Sequence, residues 1–255
     1  MSTSKPLRDA GLALSLLTGI RTPARWPEDG ATQAAAWFPL VGALVGAVGY
    51  GIVKVAELLP LSPSALVVLS ALVVIAWALL SRLLHWDGLA DVADGYWGSP
   101  DPARRLEIMS DSHTGAFGAA AVALIAILEV AALAAILATP HELPLLVVPV
   151  FARFSATAAA WLGKPARAGG LGRSVMGTAT PPSVAIVFIT LAAAFAVFWV
   201  GFGVTGIALG TAGAVLALGV PHVLALRFGG VTGDVMGASV LLTEALLFAA
   251  FALVA

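Results

Sequence analysis

Cysteine is absent from the 255 residues, so disulfides, thiolate zinc sites and thiol nucleophiles are excluded, and a bound metal must use oxygen or imidazole ligands. Charge is nearly as scarce. Asp, Glu, Lys and Arg make up 11% of the chain, and 13 Lys plus Arg against 14 Asp plus Glu leave a net charge of -1, so no global basic field attracts nucleic acid. The GxxxxGK[ST] pattern of a P-loop is missing, so nucleotide hydrolysis is not indicated. Internal repeats, low-complexity tracts and a second domain are missing too, which leaves one integral unit over 1–255. The short apolar run 11–20 lacks a small-residue cleavage site and reads as part of a cytoplasmic or interfacial N-terminal segment, 1–36, rather than a signal peptide.

In place of charge the chain is 60% hydrophobic, with a mean hydropathy of +1.00, more apolar surface than a soluble core of this length can hide. A helix crossing a bilayer core needs roughly 20 apolar residues. Stretches near 37–56, 64–84, 116–138, 143–162, 183–202, 204–226 and 236–255 meet that length, or six if 202–206 is only a kink. The expected fold is an all-α, multi-pass bundle in the lipid bilayer. Lys5, Arg8, Arg21, Arg25, Arg82, Arg104, Arg105, Lys164, Arg167, Arg173 and Arg227 all fall on one side of such a bundle, with Lys54 opposite and Arg153 inside a span. The positive-inside rule then puts the N-terminus and the long loops 82–115 and 163–182 in the cytoplasm of a plasma or inner membrane.

The strongest chemical signal is His85-Trp86-Asp87-Gly88-Leu89-Ala90-Asp91-Val92-Ala93-Asp94-Gly95. Spacings of four and three place Asp87, Asp91 and Asp94 on one helical face, where the carboxylates repel unless a hard divalent cation turns repulsion into coordination. Mg²⁺ suits an oxygen-only set and keeps positions open for phosphate. A wet acidic helix surface is the bland alternative. Arg104 and Arg105 read as a phosphate clamp or as topology determinants, and Asp111 as base, metal ligand or helix cap. The glycine-rich loop 162–173 offers Lys164 and Arg167 with close backbone approach to a phosphate, or is a flexible connector. Asp234 opens the last span. Glu129, Arg153 and Glu244 lie at membrane depth, where ionisable groups are functional candidates or buried pairs. His85 is a metal ligand, a proton carrier or an interfacial polar residue.

Residues 85–95, followed by Arg104-Arg105-Leu106-Glu107-Ile108-Met109 and Asp111, resemble the signature of the cobalamin synthase family, the adenosylcobinamide-GDP ribazoletransferases. Phe38-Pro39-Leu40-Val41-Gly42, Arg153 with Gly170-Leu171-Gly172, and 229–237 resemble family segments in the expected order, so the likeness covers nearly the whole chain. It implies a Mg²⁺-dependent transfer in which a ribose hydroxyl of α-ribazole, or its 5′-phosphate, attacks the cobinamide-linked phosphorus of adenosylcobinamide-GDP. GMP leaves, and adenosylcobalamin or its phosphate forms. On that basis Asp87, Asp91, Asp94 and Asp111 are the expected metal set, with Asp111, Asp91 and His85 catalytic. Arg104, Arg105, Lys164, Arg167, Arg153, Asp234 and Glu244 are the expected substrate contacts. A homo-oligomer is compatible with these features. Ser110 and His113 stand where the family often carries basic residues.

Two other classes compete. A CDP-alcohol phosphotransferase also clusters aspartates and begins its motif like Asp87-Gly88-Leu89-Ala90, but wants arginine where this chain has Asp91. A cation-coupled transporter would use Glu129, Arg153 and Glu244 at the midplane and would show inverted repeats, which this sequence lacks.

Overall fold

Helices follow the apolar runs. The computed structural model describes residues 5–27, 30–60, 62–111 and 113–254. Parts of the expected N-terminal segment (1–4 and 28–29), Ser112 of the acidic loop and Ala255 of the last expected span lie outside the described residues. Among the described residues the chain is all-α, with one isolated bridge between Pro165 and Val231 and no strand.

The N-terminal segment forms α1 (Lys5–Leu17), which turns Leu12, Ala13 and Leu17 inward. A 3₁₀ turn over Thr32–Trp37 leads into α2 (Phe38–Ala56), where Pro39 occupies the first turn and its missing N–H costs nothing. Gly42 and Gly46 let α2 lie directly on α7 (Pro144–Leu162), because a side chain at either would strike the backbone of 145–150. α3 (Ala65–Leu80) docks on α2 through Trp77, whose Nε1 donates to Val45 O at 2.8 Å.

The expected span 64–84 stops short. Arg82 and Leu83 both adopt left-handed backbone conformations (φ 51° and 60°), which cost side-chain-bearing residues about 1–3 kcal/mol each, and the chain turns through 90° into α4 (Leu84–Gly98). Ser81 Oγ, donating to Trp77 O, and Leu83 N–H, donating to Ala78 O at 2.7 Å, hold the turn. The acidic motif therefore rides on a helix laid across the bundle end.

After the short α5 (Pro102–Ile108) come α6 (Ala116–Leu137), α7 and the short α8 (Leu171–Val175). α9 (Pro181–Phe228) is 48 residues long but breaks at Gly203 (φ 57°, ψ −131°). A side chain on Gly210 would meet the ring of Phe195, which a straight helix would hold about 22 Å away. The two halves thus fold back on each other at the position where the sequence suggests either a kink or a loop. α10 (Gly233–Val254) closes the bundle and buries Phe248 and Phe251, with Phe251 against Phe198 of α9 at 4.8 Å between ring centres. Among the described residues five helices are long and apolar enough to cross a membrane, and α3 with α4 makes a sixth if that bent pair is one broken span.

Candidate functional site

α4 and α10 touch where both lack side chains. A Cβ on Gly88 would collide with the backbone of Asp234, and Gly237 packs close to the backbone of His85 and Gly88. That approach brings Asp87 and Asp234 to the wall of one cavity of about 210 Å³. Thr232 precedes α10 and accepts the Val235 N–H on its Oγ1 at 3.1 Å, a helix cap that also hydrogen bonds to the Asp234 carboxylate.

The glycine-rich loop supplies the facing wall. It is pinned to the turn before α10 by the Val231 N–H donating to Lys164 O (2.7 Å) and the Ala166 N–H donating to Val231 O (3.0 Å). Gly172 lies so close to the Gly233 backbone that no side chain fits, and Gly170 has φ 102°, a conformation suited to glycine. Arg167 and Arg173 from this loop line the cavity, and Arg167 also donates to Leu106 O at the end of α5.

Asp91, one turn along α4, is half-buried beside the cavity rather than in its wall. It lies within Coulombic range of Asp234, Asp87 and Asp94, with Arg167 as its positive neighbour. Asp94 faces elsewhere: its carboxylate accepts the N–H of Gly115 at 2.7 Å and of Gly118 at 2.8 Å, capping α6. Sequence reading gives a cap role to Asp111; geometry gives one to Asp94. Among the described residues no three His, Asp or Glu side chains converge closely enough to hold an ion by themselves. The oxygen donors Asp87 and Asp234 in one wall do fit Mg²⁺, which takes one or two carboxylates and completes its shell with water and substrate phosphate.

The other expected residues are dispersed. Arg104, Asp111 and His113 line an open depression on the far side of Asp94, where exposed Arg104 pairs with Glu107 at 2.6 Å and His113 Nδ1 lies 2.6 Å from Asp111. That carboxylate, by hydrogen bond and by charge, raises the His113 pKa above its ordinary 6.5. Arg105 instead fastens elements together, donating to Ser99 O and Arg227 O at 2.7 Å and stacking over Tyr96. Lys164 is exposed and outside the cavity wall. Arg153 and Glu244 form an ion pair inside the bundle, each 2% exposed, with Glu129 nearby. His85 borders both the cavity and this buried cluster, and its Nε2 has no hydrogen-bond partner.

Arg173 and Thr232 were not among the expected contacts, although the first shares the basic glycine loop and the second precedes Asp234. The apolar part of the wall, which includes Leu16 of α1 and Phe38 of α2, has no local signal, because only the tertiary fold brings 16 and 38 beside 240.

The sequence model of the cobalamin-5-phosphate synthase family matches residues 9–252. Among similar proteins, one from Syntrophobacter fumaroxidans is 42% identical over 253 residues, covering 95% of this chain and 97% of the relative. One from Synechococcus elongatus is 36% identical, covering 94% of each, and one from Frankia casuarinae is 35% identical, covering 93% of this chain and 91% of the relative. All three carry the name adenosylcobinamide-GDP ribazoletransferase. No solved structure matches the chain.

Proposed function

Since this chain belongs to the cobalamin-5-phosphate synthase family, we propose that it joins adenosylcobinamide-GDP to α-ribazole, or to α-ribazole 5′-phosphate, and releases GMP. The observation that carries this is the meeting of Asp87, Asp234, Arg167 and Arg173 around one cavity, with carboxylates on one wall and the arginines of the glycine-rich loop on the other.

A pyrophosphate needs its charge neutralised and its oxygens held while the new P–O bond forms. Arg167 and Arg173 supply bidentate donors to the phosphate oxygens, and Gly169, Gly170 and Gly172 allow close backbone approach. A ribose hydroxyl of the acceptor gives its proton to a carboxylate of the Asp87, Asp91 and Asp234 group. Its oxygen bonds to the cobinamide-linked phosphorus, and the bond to the GMP oxygen breaks. Asp87 and Asp234 are the residues that would hold Mg²⁺, which when bound would offset charge on the pyrophosphate.

The cavity shares its bundle end with Arg104, Arg105, Arg227 and the basic loop, whereas the opposite end carries Lys54 in contact with Glu57 and Glu142. With α9 counted as two crossings at Gly203, and α3 with α4 as one, the proposed arrangement is a seven-span protein of the plasma membrane with its site open to the cytoplasm. The activity is tested by incubating detergent-purified protein with adenosylcobinamide-GDP, α-ribazole and Mg²⁺. GMP and a cobamide in equal amounts are expected; neither product, beside a working relative, would overturn the assignment.

A further inference from the structure

His85 borders a second and much smaller space inside the bundle. It measures about 10 Å³, the least that admits one water, and His85, Glu129, Arg153 and Glu244 line it together with Ser81 and apolar side chains of α3, α4 and α10. The four ionisable groups come from four helices, α4, α6, α7 and α10. Arg153 Nη1 and Glu244 satisfy each other, and Ser81 Oγ is spent on Trp77 O and Ala78 O. His85 Nε2, Glu129 Oε1 and Arg153 Nε are buried and have no hydrogen-bond partner among the described residues. A buried polar atom left unpaired costs more than a hydrogen bond gains. Three such atoms on residues around one space of this size are satisfied together by a molecule that both donates and accepts. The positive charge of Arg153 beside that space excludes a cation.

We propose that a single internal water accepts from Arg153 Nε–H, donates to Glu129 Oε1 and bonds to His85 Nε2, and that through it His85 is a positioning residue for Asp87. α4 needs such a tether. It is joined to α3 through the left-handed turn at Arg82 and Leu83, and its approach to α10 at Gly88 and Gly237 is backbone against backbone, which sets a distance but not a position along the contact. Asp87 stands two residues from His85, so a shift of the first turn of α4 carries Asp87 away from its place in the cavity wall. The water ties that turn to α6 through Glu129 and to α7 through Arg153, which Glu244 in turn holds to α10. The effect on turnover rests on the transfer proposed above, whereas the water does not.

The test pairs a crystal structure of the full chain that resolves ordered waters with steady-state kinetics of single and double variants in detergent. A solvent peak within hydrogen-bond distance of His85 Nε2, Glu129 Oε1 and Arg153 Nε is expected. Glu129 lies outside the cavity wall. Glu129→Leu and His85→Leu should nevertheless each lower kcat by about 10- to 100-fold while the KM for adenosylcobinamide-GDP moves less than about threefold, the pattern of a misplaced catalytic group. Glu129→Gln keeps an acceptor oxygen and should hold kcat within about threefold of the wild type. His85→Gln, which keeps a polar group for the water, should recover part of the His85→Leu loss. Because both leucine variants remove one shared link, combining them should cost no more than about threefold beyond the more damaged single variant. No solvent peak at that position, wild-type kcat in Glu129→Leu, or losses that multiply in the double variant would overturn the proposal. If either leucine variant does not fold, the wild-type solvent peak decides it. A solvent peak in a wild type that releases no GMP would support the link and count against the transfer itself.

Discussion

Asp94 accepts the backbone N–H of Gly115 at 2.7 Å, and that of Gly118 at 2.8 Å, so the third carboxylate of the acidic motif spends both oxygens on the N-terminus of α6. Unpaired N–H groups and the positive end of a helix favour an anion there. A side chain on Gly115 or Gly118 would displace the Asp94 carboxylate, which ties those glycines to the same contact. Asp94→Ala is therefore expected to lower stability by about 1–2 kcal/mol, read as a fall in the thermal midpoint of the detergent-purified protein, and Asp94→Asn to recover about half of it. Unchanged midpoints in both would show that the cap contributes nothing.

The membrane-spanning all-α class was legible because apolar runs of bilayer length are a one-dimensional signal, whereas the sequence left 202–206 open between a kink and a loop, and only the backbone at Gly203 shows the break. The acidic face of α4 was legible for the same reason, since helical spacing fixes which residues share a face. Division of labour within that face was not. Asp87 and Asp94 look alike in sequence, and only the docking of α10 at Gly88 and of α6 at Gly115 assigns one to a cavity and the other to a cap. Arg105 and Arg167 were likewise equivalent on paper; Arg105 is consumed by Ser99 O and Arg227 O, whereas Arg167 reaches the cavity.

Arg167→Ala should raise the KM for adenosylcobinamide-GDP by about 10- to 100-fold, the range expected for losing a charge-assisted contact to phosphate. Arg167→Lys should restore only part, because an ammonium lacks the bidentate fork. Arg104→Ala removes only an exposed pair with Glu107 and should change KM by less than about threefold. Steady-state kinetics of the three variants decide it; an Arg104 effect as large as that of Arg167 would move the phosphate site to the outer depression.

The Arg153–Glu244 pair is buried among helices, where removing one partner strands the other's charge. Glu244→Leu alone is expected to destabilise by about 3–5 kcal/mol, and Arg153→Met with Glu244→Leu to be markedly more stable than either single variant. Unfolding in graded SDS measures this; additive losses in the double variant would contradict a pairwise role.

The raised pKa of His113 carries a pH dependence with a definite sign. A folded-state value above 6.5 means that the Asp111 contact adds order fully below about pH 6.5, and that this order is lost as pH rises through the shifted value. Limited proteolysis between Leu106 and Ala116 should therefore accelerate as pH increases from 6 to 8.5, after correction for the protease's own profile. His113→Gln should flatten that dependence. A wild type cleaved at the same corrected rate throughout would show that the pair does not order the loop.

The assignment of the transfer to the α4–α10 cavity, rather than to the acidic motif at large, is tested most directly by GMP release from adenosylcobinamide-GDP and α-ribazole in four folded variants, Asp87→Asn, Asp234→Asn, Asp94→Asn and Asp111→Asn. Turnover is predicted to fall at least about 100-fold in the first two, which lose a carboxylate facing the substrate phosphates, and less than about tenfold in the last two. Full turnover in Asp87→Asn and Asp234→Asn, with loss in Asp94→Asn or Asp111→Asn, would contradict it.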